Sequence, residues 1–159
     1  MRRHLGLFWC VPATLFLTAV AGGVVARSAA SSIEPWPGVT IEQNGWTLFA
    51  GGAETGVFAF YRSPIQRSAG GFSEVSVRFE YQTPSSDSGA RSLSILEEFD
   101  CANSRYRYQR ATGYGQNNLS GPPLGTDTGP SEWRPAASSS STKADEIVNL
   151  TFGIVCEGK

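Results

Sequence analysis

Cysteine, histidine and closely spaced carboxylates carry most nucleophilic, redox and metal chemistry, and this chain of 159 residues holds three cysteines and one histidine. His4, Cys10 and the only methionine, Met1, all fall in an apolar N-terminal stretch. Beyond it the chain keeps Cys101 and Cys156 and has no histidine at all. Without histidine there is no Ser-His-Asp or Cys-His nucleophile pair, no base poised near neutrality and no ordinary zinc or haem ligand set. Glu97-Glu98 has the composition of a glycosidase carboxylate pair. Neighbours in a strand point to opposite faces, however, so these two cannot flank one scissile bond. Residues 153–159 match the glycine-lysine spacing of a phosphate-binding loop but lack its Ser/Thr and the helix that must follow. The expectation is a non-enzymatic protein with no catalytic residue, no cofactor and no metal site.

The cysteines point to export. Residues 1–30 have the layout of a secretory signal: Arg2 and Arg3, an apolar run over 5–26, then small residues ending in Ala29-Ala30. The run is long enough to span a bilayer, so an uncleaved anchor is the alternative, but Pro12, Thr14, Thr18, Gly22 and Gly23 dilute it. Cys10 follows Trp9, which is far too large for the residue before a lipidated cysteine. In an oxidising compartment Cys101 and Cys156 are expected to pair, with two buried free thiols as the other reading. Removing Arg2, Arg3 and Arg27 leaves ten basic side chains against fourteen acidic ones, a net charge of about −4. Such a surface lacks the long-range attraction that nucleic-acid binding needs. With the leader cleaved, no stable membrane insertion is expected and the protein is periplasmic or secreted.

The elements that position these residues read as one α+β domain with an antiparallel sheet of about six strands, packed against a C-terminal helix and stapled by one disulfide. Residues 31–45, with Pro35, Trp36 and Pro37, read as an extended lead-in, and Trp46 opens the folded body over 46–156. Residues 57–61 form an aromatic strand after a glycine-rich turn. Over 73–82, Val75, Val77, Phe79 and Tyr81 alternate with Glu74, Ser76, Arg78 and Glu80, which predicts one buried and one solvated face. Residues 91–100 form the next strand, with Glu97 as a misfit on its apolar face that a bulge or a rim position would explain.

A tight turn at Ala102-Asn103 pairs that strand with 104–110, setting Asp100 against Arg105, Glu98 against Arg107 and Phe99 against Tyr106. Residues 113–132, crowded with Gly, Pro, Asn and Ser, read as a long loop, either a binding element or an excursion between edge strands. Thr142 with Asp145 three residues on predicts a helix cap, and Ile147, Leu150 and Ile154 would form the helix's inward stripe. A strand is the competing reading there, since Val148, Leu150, Phe152 and Ile154 alternate.

Trp46, the run from Phe60 through Arg62-Ser63-Pro64 to Arg67, the run from Ser92 through Phe99-Asp100-Cys101, the segment 131–135 with Trp133, and the terminal Val155-Cys156 occur in an order that resembles the bacterial surface-adhesin protein E family. The resemblance implies an antiparallel sheet packed on a helix and a disulfide between Cys101 and Cys156. It also implies adhesins that hold host matrix and plasma proteins such as vitronectin, laminin and plasminogen. An envelope protein without a host partner is the alternative. For protein binding the candidate residues are Arg105, Arg107 and Arg110 with Tyr106, Tyr108 and Tyr114, since arginine and tyrosine are favoured interface anchors. The pairing above engages Arg105 and Arg107 with acids and leaves Arg110 and Tyr114 the freest.

Overall fold

Six strands follow one another in a meander in which each pairs antiparallel with the next: β1 (Trp46–Gly52), β2 (Val57–Arg67), β3 (Ser73–Tyr81), β4 (Ser92–Asp100), β5 (Arg105–Tyr114) and β6 (Pro123–Thr128). A two-residue strand, β7 (Arg134–Pro135), pairs with the start of β5. The helix α1 (Lys143–Phe152) runs on into a wider π-type turn over Gly153–Glu157. This computed structural model describes residues 36–41, 44–136 and 142–158. The expected leader over 1–30, with His4 and Cys10, lies outside them. No helix among the described residues is long and apolar enough to cross a membrane.

The helix forms because Thr142 caps it. Its hydroxyl accepts from the Asp145 amide at 3.2 Å, and Asp145 and Glu146 sit at the positive end of the helix dipole. Its inward stripe is not Ile147-Leu150-Ile154: Leu150 is exposed, and Val148, Phe152 and Val155 pack on Val75, Val77 and Phe99 of the sheet. The disulfide sets that rotation. Cys156 bonds Cys101 just beyond β4, with Cα atoms 5.5 Å apart, so the helix must turn the Cys156 side to the sheet.

Only part of the other face is solvated, contrary to the alternation expected for β3. Arg78 and Glu80 are fully buried. Residues 36–41 are the cause: rather than leading in freely, they cross this face and build a second core from Val39, Phe58 and Phe60, with Trp36 stacked on Phe58 at 4.5 Å between centroids. The guanidinium of Arg78 lies 3.9 Å over the Phe60 ring, donates to the Thr40 carbonyl at 2.8 Å and stands 3.3 Å from the Glu80 carboxylate. Asn118 ties the assembly together. Its backbone amide donates to Glu80, its side-chain NH2 donates to the Gly38 carbonyl at 2.6 Å, and its side-chain oxygen accepts from the Thr40 amide at 2.8 Å.

Residues 113–132 are also more ordered than a long loop. β6 occupies 123–128 and pairs with β5 from Arg110↔Thr128 to Tyr114↔Pro123. All six of its residues are exposed, so no apolar alternation marks it as a strand.

Candidate functional site

The predicted register of the β4–β5 hairpin is present pair for pair: Asp100↔Arg105, Phe99↔Tyr106 and Glu98↔Arg107. Beyond Glu97 the ladder slips by one, with Glu97↔Tyr108 but Leu96↔Arg110, so Gln109 is the extra residue of a β-bulge. The bulge lies in β5 and leaves Glu97 buried on the helix-side face. Strict alternation would send Arg110 to the face opposite Arg105 and Arg107. With Gln109 inserted, Arg105, Arg107, Arg110 and Tyr114 line the outer face, while Tyr106 and Tyr108 remain on the helix side. The six residues expected to act as one stripe are thus divided between two faces.

Residues 129–131 clamp the bulge. The Gly129 amide donates to the Gln109 carbonyl at 2.7 Å, the Ser131 amide to the Tyr108 carbonyl at 3.0 Å, and the Tyr108 amide to the Ser131 hydroxyl at 3.1 Å. Only glycine fits at 129, since a Cβ there would lie 2.7 Å from the Tyr108 carbonyl oxygen.

Arg105 and Arg107 are held on two sides. Arg105 donates to Asp100 from Nε at 2.9 Å and from a terminal nitrogen at 2.8 Å, and Arg107 reaches Glu98 in the same way at 2.8 and 2.7 Å. Trp133 covers both guanidinium planes, at 4.8 Å from Arg105 and 4.4 Å from Arg107, and Phe72 meets the indole edge-on at 5.0 Å. Cations over an indole face gain from its quadrupole, and the fork geometry of arginine suits both contacts at once. Burial alone would raise Glu98, but hydrogen bonds from Arg107 and Gln109 and the Arg107 charge hold it below the usual carboxylate range. Asp100 is likewise held low, first by the Asn103 side-chain amide and then by Arg105. Sequence reasoning placed the two ion pairs but missed Trp133 and Phe72 as their partners. The signal available was the recurrence of large aromatics at 72 and 133 amid polar, glycine-rich stretches.

Arg110 is exposed, and among the described residues it makes no ion pair. Tyr114 is half-buried at the far end of the same face, four residues along the strand. Tyr108, one of the expected binding residues, instead donates its hydroxyl to Asp127 of β6 at 2.6 Å on the helix side. That bond and burial raise the phenol above its ordinary range. The outer face of β5 therefore offers a fixed pair of arginines, an indole and an exposed arginine that has no ion pair among the described residues. Arginine forks and an indole of this kind suit contacts with carboxylates and polar protein surface.

No curated protein and no solved structure is significantly similar to the chain. The model of one family, surface-adhesin protein E, matches residues 46–157, from the first strand through the C-terminal cysteine. That match spans more than half of the sequence, and the chain belongs to the surface-adhesin protein E family.

Proposed function

We propose that this is an exported, non-enzymatic binding protein that engages host matrix or plasma proteins through the outer face of β5. The leader over residues 1–30 directs export and is removed, and the domain over 46–156 carries the binding surface. The observation that carries the reading is the outer-face stripe, in which Trp133 and two acids fix Arg105 and Arg107 while Arg110 stays open to solvent. Fixed arginines and aromatics lose little side-chain entropy on contact with a partner, which is why such residues dominate interface energetics. Membership in an adhesin family supports the same reading.

Surface plasmon resonance against immobilised vitronectin, laminin and plasminogen tests it. Replacing Arg110 and Tyr114 together with alanine should weaken binding at least about tenfold, the loss expected of one interface anchor, while leaving the melting temperature unchanged. Unchanged affinity removes both residues from the site. Fractionation of expressing cells separates adhesion from a purely periplasmic role: a product confined to the periplasm argues for the envelope reading.

A further inference from the structure

The helix covers only one end of its face of the sheet. Beside its first turns lies a cavity of about 700 Å³, floored by Val57, Phe79, Leu93 and Ile95 and walled by Tyr106 and Tyr108. Cavities of this size and apolar character are typical small-molecule sites. At its base is Glu97, only 6 % exposed, and among the described residues it has neither a hydrogen-bond nor an ion-pair partner. A carboxyl that faces a cavity instead of a protein donor is satisfied only by what the cavity holds, whereas its neighbour Glu98 accepts from Arg107 and Gln109. The cationic groups of the cavity, Arg134 and Lys143, are exposed at its rim, and Arg134 engages the Tyr106 hydroxyl. The group in need of a partner is therefore the deep acceptor, set between tyrosine rings that also favour a cation.

We propose that this cavity binds an apolar primary ammonium, a molecule with a hydrocarbon or aromatic body that fills the apolar floor and one NH3+ head that donates to Glu97. A carboxylate head would have to sit at the water-exposed rim and leave Glu97 without a donor. An alcohol would satisfy Glu97 with one neutral hydrogen bond, weaker than a charge-assisted one.

Three probes that share one body separate these cases: 4-phenylbutylamine, 4-phenylbutanol and 4-phenylbutyrate, titrated by calorimetry into the whole exported chain. At pH 8 the amine should bind at least about tenfold tighter than the alcohol, the difference between a charged and a neutral hydrogen bond, and the carboxylate weakest. Burial pushes the Glu97 carboxyl up to about 7, so a free site at pH 5.5 must lose a proton before it can pair with the amine. Amine affinity should accordingly fall by about tenfold or more from pH 8 to 5.5, and alcohol affinity should not. The other groups facing this site are Tyr81 of β3, Tyr106 and Tyr108 of β5, Arg134 of β7, and Lys143 with Asp145 at the start of α1. Glu97→Gln preserves the volume and should abolish both the amine preference and its pH dependence, with alcohol binding retained. Equal affinity for all three probes, preference for the carboxylate, no binding at millimolar concentration, or an amine preference that survives in Glu97→Gln would each overturn the assignment.

Discussion

Glu97 and Glu98 are neighbours in β4, yet their environments push their titrations in opposite directions, because strand alternation sends one carboxyl into the helix-side cavity and the other onto Arg107. The Glu97 carboxyl rises from an ordinary 4.5 to about 7 by burial alone. A group raised in the folded state favours folding fully below its unfolded value, and that contribution is lost as the pH climbs through about 7. Integrated over that window the loss amounts to about 3 kcal/mol. Glu97→Gln should therefore match the native protein near pH 5 and exceed it near pH 8, as urea unfolding at the two pH values would reveal. Glu98, held low, works in the other direction: its contribution is present above its unfolded value and disappears only as the pH falls through its depressed folded one. The sequence marked Glu97 as a misfit on an apolar face, but composition alone could not tell a rim position from a buried one. Only packing decides that, and here Glu97 is largely buried yet faces the helix-side cavity rather than a donor on a neighbouring strand.

At the scale of elements, what was legible depended on how far the chain must travel to make its contacts. The β4–β5 register follows from a tight turn and three complementary pairs, all within a dozen residues. The helix cap is equally local, and Thr142→Ala should cost about 1 kcal/mol in thermal unfolding. The inward face of the helix was misjudged because it depends on where Cys101 waits, 55 residues earlier. β6 escaped notice for a different reason, since an edge strand exposed along its whole length has no buried face to leave a periodic trace. A bulge near Glu97 was legible from the misfit there, but not its place at Gln109 of the partner strand, which is fixed by amides twenty residues away at 129 and 131. Adding a methyl group at that clamp, Gly129→Ala, should destabilise the protein by roughly 1–3 kcal/mol through overpacking against backbone. The same change should loosen Arg110 from the outer face, so hydrogen exchange at Tyr108 and Arg110 should accelerate more than in β3.

Across the whole molecule, the sheet is a partition between two cores, one under the helix and one under residues 36–41. Periodicity in β3 suggested a single core because Arg78 and Glu80 look like solvent-facing residues, and they become buried only once a segment about forty residues upstream supplies the cover. Trp36→Ala removes the ring stacked on Phe58 and should cost on the order of 2 kcal/mol, measured by urea unfolding, with the helix-side core left intact. Reducing the disulfide reopens a span of 55 residues and should cost roughly 4 kcal/mol on the chain-entropy account, visible as a lower denaturation midpoint in the presence of reductant.

Because β1 to β6 pair in chain order, and only the two-residue β7 reaches back past a neighbour to β5, each of these six strands can dock on the one just completed. Residues 143–157 come after every strand, so on a chain that folds as it emerges Cys156 would meet Cys101 after the ladder is laid down. Oxidation is then a closing stitch: it locks a sheet whose register is settled, and a chain halted before residue 156 would keep Cys101 as an open thiol that reports unfinished assembly.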